Sequence, residues 1–466
     1  MKNQLIFTAI AVGIIATACT AKVECSVPAR FEGGTIVLDT PDREAGQQSA
    51  LKMACEPIDT VRIGFIGIGG RGGGALWRYA NMDGTRIVAI CDKYQEKVDN
   101  GLGILEENGI TGVDSYVGEN AWMEMCGRDD IDLVYITTPW LCHTPMAVYA
   151  MEHGKHAVCE VPAATSIAEC WQLVNTCEKT RRHFMMLENC CYDFFETSTL
   201  NMARQGLFGE ILHVEGAYLH NLDSFWEAYT DNWRLSYNQS HRGDNYPTHG
   251  IGPVCQVLDI HRGDRMDYVV SMDTKSVKGA ASGKRLMGAD EFADGDHTVS
   301  LIRTVNGKMI EIHHNVYSRR PYSRIHQLTG TMGMAQKYPD EHLAINAGNI
   351  PDGVLPECGK LDSESFMDDD LQERLLEAYK PDMIREIEDR ARKVGGHGGM
   401  DYIMDYRLIY CLRNGLPLDE DVYDAAEWCC LTELSGLSIN NGSAPVKVPD
   451  FTRGDWNLLQ GLTFAE

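Results

Sequence analysis

From about Thr60 onward, short β-branched runs alternate with stretches of helical periodicity. Val61–Ile66, Ile87–Asp92, Leu133–Thr137 and His156–Glu160 read as strands, while Met146–His153 and Ile167–Thr180 repeat their apolar positions at helical spacing. Such alternation predicts a parallel, doubly wound sheet over residues 60–188. The pattern changes after about Asn189. Ile211–Tyr218, Tyr268–Met272, Thr298–Thr304 and Lys308–Asn315 read as strands joined by loops, and Glu373–Lys393, interrupted at Pro381, and Met400–Arg413 read as helices. The expected fold class is α/β: an N-terminal Rossmann-type parallel sheet followed, over 189–466, by an α+β domain with a mostly antiparallel sheet.

Ahead of this alternation the chain has another character. Lys2, the apolar run from Leu5 to Ile15 and then Ala16-Thr-Ala-Cys19 form the charged start, short apolar centre and small-residue cleavage site of a secretory signal. The run is too short for a membrane-spanning helix. Cys19 after small residues resembles a lipoprotein box, with Ala16 where leucine is commoner, and plain secretion is the other reading. Residues 1–19 are thus expected to be a signal peptide or lipobox on an exported protein, either periplasmic or a lipoprotein attached to a membrane only by lipid at Cys19. Residues 20–59, with Gly33-Gly34, Pro41 and a polar stretch through Gln48, are expected to be a tether or loosely packed extension.

Composition narrows the class. With 44% hydrophobic and 23% charged residues, the 466-residue chain matches a soluble globular protein, which excludes disordered and collagen-like classes. A net charge of −25 argues against nucleic acid or an anionic membrane face as partner, since both attract clustered Lys and Arg. Of the sixteen cysteines, Cys91, Cys142, Cys159 and Cys255 sit in apolar segments as small core residues, and the adjacent pairs Cys190-Cys191 and Cys429-Cys430 lack zinc-ligand spacing. His313 and His314 fall on a strand, which points their rings to opposite faces. No metal site is expected. Asp362–Asp370 reads as a solvated acidic stretch.

The first strand runs into Gly67-Ile-Gly-Gly-Arg-Gly72, and the second ends in Asp92, 20 residues beyond Gly72. Gly67, Gly69 and Gly72 supply a tight turn, close backbone approach to a pyrophosphate and close helix packing, while the helix N-terminus offers unpaired N–H groups to phosphate. A carboxylate at Asp92 can accept from both ribose hydroxyls and repels a 2′-phosphate. The site therefore favours NAD over NADP.

Two further segments close strands at the same sheet edge: Thr137-Thr-Pro-Trp-Leu-Cys-His143 and Cys159-Glu160-Val161-Pro162. In order and spacing these resemble the Gfo/Idh/MocA oxidoreductase family, whose T-P-x-x-x-H and E-K-P segments flank the nicotinamide. The chain departs at one place: the family's proton-transferring lysine is Val161 here. Downstream, Met185 to Tyr192, Glu215 to His220, Asn232-Trp-Arg234, Asp244-Asn-Tyr-Pro-Thr-His-Gly-Ile-Gly-Pro253, Arg320 to Arg324 and His397-Gly-Gly-Met-Asp401 resemble one branch of that superfamily, glycoside hydrolase family 109, the NAD-dependent α-N-acetylgalactosaminidases. The resemblance runs from about Val61 to the C-terminus. It implies a cofactor site of Gly67, Gly69, Gly70, Arg71, Gly72, Asp92, Trp140, His143, Glu160, Val161, Asn189 and Tyr246. It also implies a substrate site of Tyr218, Arg234, Tyr246, Pro247, Thr248, His249 and Tyr322.

The residue chemistry agrees with a sugar site. Tyr246 and His249 offer a phenol and an imidazole within one short segment, and either can serve as a base. Aromatic rings at Tyr218 and Tyr322 can stack on a sugar face, and an Arg234 fork can hold hydroxyl or acetamido oxygens. His397 to Asp401 reads as a glycine loop and helix start with a structural role. The reaction implied by the resemblance is glycoside hydrolysis by transient oxidation at C3, elimination, water addition and reduction, with His249 as base and Tyr246 beside it. Such enzymes stand outside the paired-carboxylate scheme. The partner expected is a small glycoside or glycan, and self-association is left open. Alternatives are an NAD-dependent sugar dehydrogenase, a glycosidase of other specificity and a catalytically silent glycan-binding lipoprotein.

Overall fold

The computed structural model describes residues 24–355 and 364–462, and the expected signal segment with Cys19 lies outside the described residues. Among the described residues, no helix is long and apolar enough to cross a membrane. The first strands, β1 (Ala29–Glu32) and β2 (Thr35–Leu38), form an antiparallel hairpin turned by Gly33 and Gly34, at φ values of 57° and 87° that glycine adopts without strain. The expectation of a loosely packed extension fails here. Ile36 is fully buried, Ala50 and Met53 are buried, and the Ala50 amide donates to the Tyr423 hydroxyl at 2.9 Å. Few apolar residues in a polar stretch look like a tether; what orders them is the edge of the second domain's sheet, which β2 covers.

Residues 61–186 carry six strands: β3 (Val61–Ile66), β4 (Thr85–Asp92), β5 (Asp114–Val117), β6 (Leu133–Ile136), β7 (His156–Cys159) and β8 (Phe184–Met186). All pair in parallel, in the order β5-β4-β3-β6-β7-β8. Every residue of β6 and β7 is buried, as expected where helices cover both faces and strands become continuous apolar runs. The short β5 and β8 escape the sequence pattern. Because the chain leaves β3 toward one side and returns through β6 on the other, a crevice opens at the carboxyl ends of these two strands.

The second domain adds β9 (Ile211–Leu219), β10 (Met266–Asp273), β11 (Thr298–Thr304), β12 (Met309–Asn315), β13 (His326–Gly330), β14 (Gly333–Lys337), β15 (His342–Ile345) and β16 (Val446–Lys447). With the N-terminal hairpin they make a ten-stranded sheet in the order β1-β2-β16-β10-β11-β12-β9-β13-β14-β15. It is antiparallel except at β12–β9 and β16–β2. Helices Asp369–Ala378 and Asp382–Val394 are separated at Pro381, and Met400–Asn414 follows. The 19-residue helix Val422–Asn440 has no counterpart in the sequence reading. It is buried on nearly every side, so it shows no polar face and no helical period. Asp421 caps it by accepting from the Tyr423 and Asp424 amides, and it packs against both β10 and helix Ile167–Thr180, joining the two domains through one core.

Helix Thr248–Val257 lies on β9 at unusually close range. A Cβ on Gly216 would stand 2.1 Å from the Gly250 carbonyl oxygen, and one on Gly250 would stand 2.8 Å from the Ala217 nitrogen. Two facing glycines thus set the height of this helix above the sheet. Gly216→Ala is expected to cost about 1–3 kcal/mol, the usual range for overpacking, read as a lower denaturant midpoint; an unchanged midpoint would show that the helix can lift freely.

Candidate active site

The glycine turn is built to be filled from one side only. Gly67 has φ +89°, and a Cβ there would meet the Thr137 carbonyl at 2.9 Å; one on Gly72 would meet the Gly67 oxygen at 2.0 Å. Gly69 and Gly70, by contrast, face open space, and helix Gly70–Ala80 begins without any side-chain cap. Its first-turn N–H groups are therefore free for an anion. Asp92, at the end of β4, accepts from the Ile68 amide at 2.7 Å and the Tyr94 amide at 2.9 Å, which fixes the carboxylate beside the turn where a ribose would lie. This cradle fits a dinucleotide.

The loops after β6 and β7 close the crevice. His143 is buried between the two loops with its ring nitrogens 2.6 Å and 2.8 Å from the Thr138 and Pro162 carbonyls, to one of which a neutral ring donates. Burial lowers its pKa in spite of these acceptors. Glu160 accepts from Arg71 at 2.6 Å, and Val161 is buried. The Trp140 ring stacks on Tyr246 with centroids 5.5 Å apart, which brings the second domain against the nucleotide half.

On that second side, Tyr246 and Pro247 lead into helix Thr248–Val257, whose first turn carries His249. Nδ1 of His249 lies 2.6 Å from Oε1 of Glu188, a side chain that is fully buried just beyond β8. A carboxylate only accepts, so Nδ1 carries the proton and Nε2 presents a lone pair to the Tyr246 hydroxyl 3.3 Å away. Burial works to raise the Glu188 carboxyl, but the His249 ring, the nearby Thr248 side chain and the bond from the Cys190 amide outweigh it and keep it below the usual range. Burial pushes the Tyr246 phenol well up, opposed by the Arg234 guanidinium 4.5 Å from its ring centroid.

Arg234 sits among the rings of Trp140, Tyr229 and Tyr246 and donates to the Tyr229 hydroxyl at 2.9 Å. Its Nε and Nη2 are buried with no hydrogen-bond partner among the described residues, an arrangement that leaves two donors for a ligand. Tyr218 stands 5.2 Å from the His249 ring and 4.9 Å from Tyr246, with its hydroxyl 2.8 Å from His220 Nδ1; Tyr322, 39% exposed, forms the outer wall. Tyr218, Arg234, Tyr246, His249 and Tyr322 therefore converge. Pro247 and Thr248 contribute the turn and first position of the helix, and the Thr248 hydroxyl is buried.

Two parts of the site are absent from the sequence reading. Glu188 is one, although its signal is legible: an acid closing the apolar run Phe184-Met-Met-Leu187 stands as Asp92 and Glu160 do at their own strands. The other is Asp401, read as a helix-start residue of structural role; its carboxylate instead accepts from Arg71 at 2.9 Å and Asn189 at 2.5 Å. Glu188, Cys190 and His249 bring donor atoms within 4.8 Å of one another, but Cys190 Sγ already accepts from Arg324 Nη1 at 3.0 Å, and that guanidinium opposes a cation. The fourteen cysteines among the described residues are free thiols.

Comparison with known proteins follows the same division. Residues 61–188 match the model of the oxidoreductase family, NAD-binding Rossmann fold, and residues 192–458 match that of the glycosyl hydrolase 109 C-terminal domain. Glycosyl hydrolase family 109 protein 1 of Bacteroides thetaiotaomicron is 54% identical over 468 residues, covering 100% of this chain and 99% of that one. A glycosyl hydrolase family 109 protein of Porphyromonas gingivalis is 55% identical over 433 residues, 92% of each chain. Levoglucosan dehydrogenase, solved in complex with NADH, shares the fold at a TM-score of 0.61 with 17% identity, over 84% of this chain and 100% of that one. The WlbA dehydrogenase of Bordetella pertussis, in complex with NADH and UDP-GlcNAcA, does so at 0.59 with 16% identity, over 85% and 100%.

Charge-assisted bonds of the kind Asp92 offers a ribose are worth about 1.5–3 kcal/mol each. Asp92→Ala is therefore expected to weaken NAD⁺ binding about tenfold or more and to narrow the preference over NADP⁺, as measured by fluorescence titration of both nucleotides. Unchanged affinities would remove Asp92 from the ribose site.

Proposed function

The chain belongs to glycosyl hydrolase family 109 and carries an NAD-binding Rossmann domain, and from that premise we propose that it hydrolyses terminal α-N-acetylgalactosamine linkages through an oxidation, elimination, addition and reduction cycle. The observation that supports this reading most directly is the hydrogen-bonded series Glu188, His249, Tyr246 at the cofactor crevice, where the side chain at position 161 is valine. An alcohol dehydrogenation that relies on a lysine at this place has no such group to use. A proton-transfer unit stands nearby in its stead.

NAD⁺, which the glycine turn and Asp92 would hold, would supply reversible hydride chemistry at the sugar C3, with only water consumed overall. The protein's own residues manage the protons. Arg234, with two unpartnered donors, holds substrate oxygens, and Tyr218 and Tyr322 pack against the ring. His249 Nε2 removes the proton at C2, made acidic by the C3 ketone, and the Glu188 carboxylate stabilises the imidazolium that forms. The C1–O bond breaks with its electron pair leaving on the aglycone oxygen, which takes a proton from the side of Tyr246. Water then adds its hydroxyl to C1 while its remaining proton restores the Tyr246 hydroxyl, C2 regains a proton from His249, and the C3 oxygen recovers from solvent the proton its hydroxyl released when the hydride left. Export, suggested by the N-terminal segment, completes the proposal, because a cofactor restored in every turnover needs no surrounding pool.

Incubation with aryl α-N-acetylgalactosaminide and a panel of other aryl glycosides, recording phenol and NADH absorbance together, tests the reading. Phenol release from the first substrate without net NADH is the expected result; steady NADH growth with a free sugar and no phenol would make the protein a dehydrogenase. Positioned acid–base groups contribute about 10²–10⁴-fold. Glu188→Gln, which keeps size but loses the charge, is expected to lower kcat by that order with bound NAD retained.

A further inference from the structure

Five consecutive residues ahead of helix Met400–Asn414 have positive φ: Gly395 at 88°, Gly396 at 87°, His397 at 46°, Gly398 at 77° and Gly399 at 119°. Only a glycine-rich segment can follow that path. Its tightness serves one neighbour. A Cβ on Gly396 would lie 2.6 Å from the Asp401 Cβ and 2.8 Å from its Oδ2, so the loop is wrapped directly around the Asp401 side chain.

Asp401 in turn is 1% exposed and collects polar groups from separate parts of the chain. Oδ2 accepts from Arg71 Nη1 at 2.9 Å, Oδ1 accepts from Asn189 Nδ2 at 2.5 Å, and Nδ1 of His397 lies 3.0 Å from Oδ2 and 3.3 Å from Arg71 Nη1. Arg78 Nη1 stands 3.5 Å away. The same Arg71 grips Glu160 through Nε at 2.9 Å and Nη2 at 2.6 Å. Arg71 belongs to the glycine turn, Glu160 ends β7 and Asn189 follows β8, so one carboxylate of the second domain ties three walls of the nucleotide crevice together.

We propose that Asp401, seconded by His397, is a latch that retains the dinucleotide: a positioning site in the second domain that holds the cofactor-lining residues closed rather than touching the reacting atoms. In this arrangement, separating the glycine turn from the Met400–Asn414 helix would break the charge-assisted Arg71–Asp401 bond. Half of the His397 ring remains accessible, placing the loop at the outer rim where opening would begin. The inference rests on NAD binding and not on the identity of the sugar. It stands whether or not aryl glycosides are cleaved.

The test loads the full chain with NAD⁺, removes free nucleotide by rapid desalting and follows the bound fraction over time by chromatography of acid-released nucleotide. Asp401→Asn, which keeps shape and removes charge, is expected to release NAD⁺ at least tenfold faster than the unaltered protein, and His397→Ala several-fold faster, with apo unfolding midpoints unchanged for His397→Ala. A purely structural role would lower the apo midpoint of Asp401→Asn and leave the release rate alone. Should Asp401→Asn fail to fold, His397→Ala decides. Release at the unaltered rate in the folded variants overturns the proposal, as does loss of NAD⁺ from the unaltered protein within the desalting step.

Discussion

The hydrogen bond between Glu188 and His249 is where the two halves of the molecule become one site. Glu188 stands just past the last strand of the parallel sheet, and His249 in the first turn of a helix laid on the second sheet. Their 2.6 Å contact is fully buried on the carboxylate side. An ionised carboxylate without water needs a partner, and a histidine ring with a free Nε2 needs its Nδ1 proton held. The Glu188 Oε1 meets the His249 Nδ1 and so serves both needs. Were either domain displaced by an ångström, a buried charge would be stranded and the ring would lose its tautomer and its aim.

Much of the surrounding architecture can be understood as keeping that distance. The facing glycines 216 and 250 let the helix sit low enough on β9 for His249 to reach across. Helix Val422–Asn440, buried along nearly its whole length, packs between β10 and helix Ile167–Thr180. A second polar seam runs parallel to the first: Arg78 donates to Asp405 at 2.6 Å, the Tyr135 hydroxyl donates to Asp405 at 3.1 Å, and Arg71 reaches Asp401. Burial raises the Asp405 carboxyl to about 6 against the pull of Arg78, while Asp401, despite equal burial, is held below the usual range by Arg71, His397 and Arg78. The difference follows from the two guanidinium groups at Asp401, Arg71 and Arg78, against one at Asp405. Asp401 is the member of the seam that lies next to the nucleotide crevice.

Arg234 shows how the substrate side is held in readiness. A guanidinium enclosed by aromatic rings, with two donors unmatched, is costly unless something else meets them. Stacking on Trp140, Tyr229 and Tyr246 offsets part of that cost through cation–π attraction. Those rings also keep the guanidinium rigid, so little rotamer freedom remains to be lost when a ligand arrives.

The parallel sheet, the glycine turn, Asp92 and the two loops beyond β6 and β7 were legible in the chain alone, because each depends on neighbours within a few residues: a run of β-branched side chains, a φ only glycine adopts, an acid at a strand end. The chain also pointed to Tyr246 and His249, through a motif whose members lie close together. Other features were decided only by tertiary structure. Ile36 and Leu38 are ordered by a sheet edge supplied by residues more than 400 positions away. The buried helix Val422–Asn440 has no polar face to reveal its period, and the pairing of Glu188 with His249 spans 61 positions. Asp401 reads as a helix start in any local window; 330 residues separate it from Arg71, and only folding brings its charge to the cofactor crevice. Local preference is written in short patterns, whereas the partner of a buried charge is chosen by where the packed core leaves room for one.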